Sequence, residues 1–175
     1  MAKYILPFPE STIPVGGEFG NNKAPRTNPH RGVDFAVAAG TSIKSISDGK
    51  VVKNTWSTVL GWVVVVKDAK GIFWGYCHMR SASKLLLGAK VVAGKTVIGQ
   101  VGNTGSASRG AHLHFTCGSG IEAVFSGWVQ DPIACAKRQN AKEKPVEKIV
   151  ATVEAKEVKP APAKSVHTNS KKKVK

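Results

Sequence analysis

The chain has 175 residues, 42% of them hydrophobic, and 26 Lys/Arg against 11 Asp/Glu give a formal net charge of +15. That length and composition suit one globular domain with a real core, and no stretch approaches the roughly 20 apolar residues of a membrane-spanning helix. Three cysteines, Cys77, Cys117 and Cys135, are too few and odd in number for a disulfide framework, and they read as small buried thiols.

The charge is uneven. Residues 1–136 hold 14 basic and 7 acidic residues, a net +7, whereas residues 137–175 hold 12 and 4, a net +8 in far fewer positions. Three segments follow: a leader over 1–18, a domain over 19–136, and a Lys/Ala/Pro-rich basic tail over 137–175. The leader begins Met1-Ala2-Lys3-Tyr4-Ile5-Leu6-Pro7-Phe8-Pro9, where prolines interrupt any signal-peptide core, so the chain is expected to stay in the cytoplasm until another route releases it. Residues 1–29 are rich in Pro, Gly and Asn, and Phe19-Gly20-Asn21-Asn22-Lys23-Ala24-Pro25 reads as a long loop.

From 33 onward the pattern is of short β-type runs separated by turn residues. Strands are expected over 42–47, 50–56, 62–67, 72–79, 90–92, 96–101 and 112–117, with Asp48-Gly49 a turn and Asp68-Ala69-Lys70-Gly71 a hairpin connection. Val63-Val64-Val65-Val66 is β-branched throughout and fits a central strand. A short helical turn is expected over 83–87. No convincing helical periodicity precedes Ala134, and a short helix over 131–144 could close the domain. The fold class is mainly β, a compact antiparallel sheet or sandwich-like core. The tail, with no aromatic residue, cannot bury enough surface to offset its chain entropy and is expected to be disordered.

Chemistry concentrates in the histidines. In Ala111-His112-Leu113-His114-Phe115, alternation puts His112 and His114 on one face of a strand, roughly 6.6 Å apart at Cα, with Leu113 facing inward. His30 precedes Asp34 by four residues. Pro29, Gly32, Val33 and Phe35 argue against a helix there, and a straight strand would hold the pair about 13 Å apart at Cα, too far to share one ion. The backbone must therefore bend, and Gly32 is the residue best able to allow it. His30, Asp34 and one histidine of the H-x-H pair offer two nitrogens and one carboxylate, a common set for catalytic zinc with a position kept for water. Cys117, three residues past His114, falls on the opposite face, and Cys77 beside His78 is a poor ligand for the same reason. Alternation groups His78 with Trp74 and Tyr76. No Glu stands in an H-E-x-x-H arrangement, so a second histidine two residues from a ligand is the natural base. Zinc lowers the pKa of bound water to about 7, which makes the nucleophile available near neutral pH.

These residues resemble the lysostaphin-like (LytM-type) zinc metallo-endopeptidases, which cut bacterial peptidoglycan cross-links. The resemblance rests on His30-x-x-x-Asp34, Tyr76-Cys77-His78, His112-Leu113-His114-Phe115, Asp48-Gly49-Lys50-Val51-Val52, Gly94-Lys95-Thr96-Val97-Ile98-Gly99 and Gly102-Asn103-Thr104-Gly105, in order over about 19–132. It implies one zinc ion held by His30, Asp34 and His114, with His112 as general base and His78 holding the attacked carbonyl or its tetrahedral intermediate. It implies an antiparallel β core with a groove between loops, and peptidoglycan stem peptides or cross-bridges as substrate. The chain departs from the family pattern at Ser42, Ala89, Ala111 and Thr116.

A wall hydrolase without a signal peptide is expected to suit a phage endolysin that waits in the host cytoplasm. The basic tail then suits anionic wall polymers or a membrane surface. It has no aromatic stacking platform for specific nucleic-acid binding, and a monomer is expected. Three rival readings are a wall-binding regulator of the same fold without catalysis, a lipoyl- or biotinyl-type carrier using Lys70, and a nonspecific nucleic-acid binder.

Overall fold

The structure is a computed structural model, and it describes residues 3–24 and 26–142. Within them, nine strands, one 3-10 turn and two α-helices are formed: η1 (Glu10–Thr12), β1 (Val33–Phe35), β2 (Ser42–Lys44), β3 (Gly49–Ser57), β4 (Gly61–Asp68), β5 (Phe73–Met79), β6 (Lys90–Val91), β7 (Val97–Gln100), β8 (Leu113–Gly118), α1 (Ile121–Phe125), β9 (Val129–Gln130) and α2 (Pro132–Lys142). The main sheet runs β1-β8-β5-β4-β3-β6, with β9 added to β8, and β2 pairs with β7 in a separate ribbon. Every pairing is antiparallel. The fold is mainly β, as the spacing of apolar runs and turn residues requires.

The four valines of β4 explain its central place. Val64 and Val66 face the larger core with Phe35, Trp74, Tyr76 and Phe115, while Val63 and Val65 face a smaller cluster with Cys77 and Val124. All four are fully buried, because β4 lies between β3 and β5 and is covered on both faces. The smaller cluster is roofed by α1, a helix the sequence pattern misses. Five residues are too few to show a 3.6-residue period. Two glycines make room for it: a Cβ on Gly75 would sit 2.6 Å from Val124, and one on Gly118 would sit 2.3 Å from the Cβ of Ala123.

Residues 83–87 do not form the expected helical turn. The Asn54 side-chain amide donates to the carbonyls of Ser83 and Leu85, at 2.9 and 3.2 Å, and engages groups that a helical turn would use. The leader is part of the body. Tyr4 is buried, and it exchanges two 2.9 Å hydrogen bonds with Asn140 of α2, one through each backbone group. The Tyr4 hydroxyl donates to Asp68, which also accepts from Trp74 Nε1 and from the backbone N–H groups of Lys70 and Ile72, each at 2.9 Å. Four donors on one buried carboxylate tie the leader, the β4–β5 turn and the core together. The same turn carries Lys70, whose ammonium lies over the Tyr4 ring and within 3.4 Å of Gln139. It is not the freely presented lysine that a carrier domain needs. The tail expected to be disordered begins at 137, but residues 137–142 complete α2, within the short helix expected over 131–144; the remainder, 143–175, lies outside the described residues.

Candidate metal centre

Strand register assembles the centre. Asp34 on β1 pairs directly with His114 on β8, and His114 pairs with Cys77 on β5. Paired residues share a face, so Asp34 and His114 meet on the side opposite Leu113 and Phe115, which are in the core. His30 reaches them from a loop that doubles back. Its backbone N–H donates to Asn21 and its carbonyl accepts from Gly20, both at 2.8 Å. Gly32 does not supply this bend through an unusual backbone angle, since its φ is not positive. It supplies space. A Cβ there would lie 2.5 Å from the Phe115 carbonyl oxygen and 2.8 Å from His114 Cε1.

The three donor atoms form a nearly regular triangle. His30 Nε2 lies 3.0 Å from His114 Nδ1 and 3.1 Å from Asp34 Oδ1, and His114 Nδ1 lies 2.9 Å from Asp34 Oδ1. A tetrahedral ion with ligands at about 2.05 Å spaces them about 3.3 Å apart, so the triangle is the right size for zinc. Hydrogen bonding alone does not account for it. His30 Nδ1 lies 3.0 Å from the Glu18 carbonyl, which can only accept, so Nδ1 carries the ring proton and Nε2 presents a lone pair. That lone pair faces a carboxylate oxygen and a second imidazole nitrogen. One proton on His114 cannot serve both neighbours, whereas a cation in the triangle satisfies all three. Two neutral imidazoles and one carboxylate fit a zinc ion by number, atom type and spacing.

Electrostatics agree with this assignment. Burial acts to raise the Asp34 carboxyl, but the hydrogen bonds and charges of His114 and His30 outweigh it and hold the group well below the usual carboxylate range. Burial lowers the His114 imidazole, against the pull of Asp34. Both shifts favour the deprotonated, ligating forms. The second oxygen of Asp34 is taken by Arg26, at 3.0 Å, whose guanidinium also donates to the Gly16 carbonyl at 3.3 Å. Arg26 leaves Asp34 one free oxygen for the triangle. Nothing in its own neighbourhood in the sequence signals that role.

Two more histidines open on the same space. His112 Nδ1 donates to the Gly110 carbonyl at 2.8 Å, which leaves Nε2 unprotonated and 3.7 Å from Asp34 Oδ1. His78 Nδ1 donates to the Thr104 carbonyl at 2.7 Å, and its ring lies 4.7 Å from that of His112 and 5.8 Å from that of His114. Alternation along β5 would have put His78 on the core side with Trp74 and Tyr76. A register shift between Trp62 and Val64 breaks the alternation, and His78 takes φ +59, the one non-glycine residue with positive φ among those described. This bulge turns His78 out towards the centre and sends Met79 inward to the core. Burial lowers His78 to about 4. The Thr104 loop is held by close packing: its hydroxyl donates to the Met79 carbonyl at 2.7 Å and accepts from Trp62 N–H at 3.1 Å. Cys77 and Cys117 stay out of the centre. Cys117 is buried in the larger core, and burial pushes the Cys77 thiol far up. His167 lies outside the described residues.

A groove of about 560 Å³ runs over the triangle and includes His78 and His112 in its lining. Among the described residues, His30, Asp34 and His114 are the only group of three or more His, Cys, Asp or Glu side chains with donor atoms mutually within 4.8 Å.

Comparison with known proteins accords with this geometry. Residues 28–132 match the profile of peptidase family M23. The chain is 38% identical over 92 residues to peptidoglycan DD-endopeptidase ShyA of Vibrio cholerae, a match covering 51% of this chain and 20% of ShyA. The first curated relatives are matched over 23% of their length. Among solved structures, the catalytic domain of the antimicrobial peptidase lysostaphin from Staphylococcus simulans superposes with a TM-score of 0.59 at 31% identity, covering 69% of this chain and 89% of that one. The catalytic domain of the prophage-encoded M23 protein EnpA from Enterococcus faecalis, solved as a point mutant, gives 0.62 at 27% identity, covering 74% and 95%. Its three-ligand triangle built on a matched stretch of more than half its length, the chain belongs to peptidase family M23, the zinc-dependent metallopeptidases.

Proposed function

We propose that this chain is a peptidoglycan endopeptidase that hydrolyses a peptide bond in bacterial cell-wall cross-links, with His30, Asp34 and His114 as the zinc ligands. The observation that carries the reading is the convergence of five side chains: three donor atoms within 3.1 Å of one another, and two further imidazoles facing the same groove. A zinc ion held there supplies a Lewis acid that brings water's pKa to about 7 and polarises an amide carbonyl.

The remaining chemistry belongs to the chain. His112 takes the proton of the attacking water at Nε2, which its Nδ1–H bond to Gly110 keeps free. His78 is neutral at ordinary pH, since burial lowers it to about 4. With Nδ1–H committed to Thr104, it holds the attacked carbonyl oxygen or its tetrahedral intermediate from Nε2 only after taking up a second proton there from solvent in the groove, an uptake that negative charge growing on that oxygen favours. Arg26 holds Asp34 in a single orientation. The protonated His112 then returns its proton to the leaving amine.

The substrate assignment is supported by relatives named for peptidoglycan cleavage. Action in phage-mediated host lysis is supported by a structural relative described as prophage-encoded. The basic segment 137–175, a net +8, serves on this reading as an arm for anionic wall polymers or a membrane surface, and the enzyme acts as a monomer. Digestion of purified cell walls with and without a chelator tests the reading. New amino termini in the released muropeptides, lost on chelation and restored by zinc, are expected. Release that survives removal of metal, or that comes without new amino termini, would refute it.

A further inference from the structure

The carbonyl that fixes the tautomer of His112 belongs to a loop that is anchored unevenly. Its first half is tied to the body. The Gly102 carbonyl accepts from His112 N–H at 3.3 Å, and the N–H groups of Ser106 and Ala107 donate to the carbonyls of Thr58 and Val59 at 2.9 and 3.1 Å. The Thr104 hydroxyl bridges Met79 and Trp62. The second half, Arg109, Gly110 and Ala111, lines the groove. Of these three, Gly110 alone has its backbone N–H hydrogen-bonded among the described residues, and the acceptor is a side chain, Asn103 Oδ1, at 2.9 Å. The same oxygen accepts from Ser108 Oγ at 2.6 Å. Ser108 Oγ also lies 3.1 Å from the Gly110 carbonyl and 3.4 Å from His112 Nδ1. Asn103 is exposed and does not line the groove.

This bracket has a direction, because Ser108 has a single hydroxyl proton. While that proton rests on Asn103 Oδ1, the shortest contact of the hydroxyl, Ser108 presents lone pairs to His112. The Gly110 carbonyl can only accept. His112 Nδ1 therefore faces acceptors alone and carries the ring proton, and Nε2 stays open. Without Asn103, the Ser108 hydroxyl can turn and donate to Nδ1. The ring proton then moves to Nε2, the atom that has to receive one from water. We propose that Asn103 is a positioning residue for hydrolysis: through Gly110 and Ser108 it holds His112 in the Nδ1–H tautomer, with Nε2 towards the metal triangle. The inference rests on the endopeptidase reading with His112 as its base.

The zinc-loaded full chain is compared with Asn103→Ala, Asn103→Asp and His112→Ala. Hydrolysis of soluble cross-linked muropeptides gives kcat and KM, and metal analysis gives zinc content. Nitrogen NMR of the imidazole rings at about pH 8, where an ordinary histidine is neutral, reports the tautomer, with the His112 signals identified by their loss in His112→Ala. Asn103→Ala is expected to keep its zinc and KM and to lose about tenfold in kcat, the size of two ordinary hydrogen bonds. It should also show mixed His112 tautomers where the parent shows Nδ1–H alone. Both bonds of Asn103 run through Oδ1, so the isosteric Asn103→Asp keeps them and is expected to recover kcat and the single tautomer. A parental kcat or a single Nδ1–H tautomer in Asn103→Ala, a loss confined to KM or zinc content, or no recovery in Asn103→Asp overturns the inference and leaves the endopeptidase reading standing. Parental hydrolysis by His112→Ala, or none by the parent chain, overturns both.

Discussion

Gly32→Ala tests the geometry of the centre without touching a ligand. The added carbon would lie 2.5 Å from the Phe115 carbonyl oxygen and 2.8 Å from His114 Cε1. A carbon and a carbonyl oxygen settle no closer than about 3.3 Å, so β1 and β8 must part by ~0.8 Å at this point. Both strands are held by their ladder, with Asp34 paired to His114. The displacement therefore falls on the Asp34–His114 edge of the triangle. Metal–ligand distances tolerate about 0.2 Å, several times less than the shift required. Zinc affinity is expected to drop by at least the 10–100-fold seen when a ligand's support is lost, and overpacking costs about 1–3 kcal/mol of metal-free stability. Competition titration with a chromogenic chelator reads the first quantity and denaturant unfolding of the apo-protein the second. Gly120→Ala, where an added carbon meets nothing within 4 Å, is the control and should leave zinc affinity unchanged, with at most the small stability cost of Ala at the N-cap of α1. If Gly32→Ala bound zinc as tightly as the parent chain, the close approach of β1 to His114 would not be what sets the site.

Other substitutions separate the roles. His112→Ala is expected to retain zinc and lose most hydrolysis, whereas His114→Ala loses both; metal analysis with a wall-digestion assay decides, and wild-type hydrolysis by His112→Ala would remove it as the base. Asp68→Ala strands the Tyr4 hydroxyl and the Trp74 indole N–H in the interior and should cost about 3 kcal/mol in denaturant unfolding; a cost below 1 kcal/mol would show that the leader does not depend on this carboxylate. His78 also makes metal-free stability depend on pH. Its folded value of about 4 lies below the ordinary 6.5, so between those values the unfolded chain binds a proton that the folded chain does not. Its contribution is complete above pH 6.5 and declines as pH falls towards 4. His78→Asn, a side chain that accepts positive φ, should flatten that slope, and an unchanged slope would mean that the acid sensitivity comes from elsewhere.

Much of the centre is legible in the sequence because β-strands have a period of two. His112 and His114 flank a core leucine, and that alternation alone puts them on one face. The convergence of His30 and Asp34 required a bend that the residue types between them allow. Other features depend on contacts between distant parts of the chain. The bulge that turns His78 outward arises from the β4–β5 register, which residues 73–79 do not encode by themselves. Arg26 meets Asp34 only because the loop over 17–30 folds back onto β1. α1 is too short to show a helical period, and the non-helical path of 83–87 is tied to Asn54, about thirty residues earlier. Asp68 reads as an ordinary turn aspartate until Tyr4 and Trp74 arrive on it. Local pattern thus specified faces and strands, and tertiary packing specified where individual side chains were aimed.

X-ray absorption at the zinc edge of the purified chain tests the metal assignment most directly. The expected result is one zinc per chain with two imidazole nitrogens and one carboxylate oxygen at about 2.0–2.1 Å and a light-atom ligand in the remaining position. A sulfur ligand near 2.3 Å, or a chain that loads no zinc while its fold is intact, would contradict it.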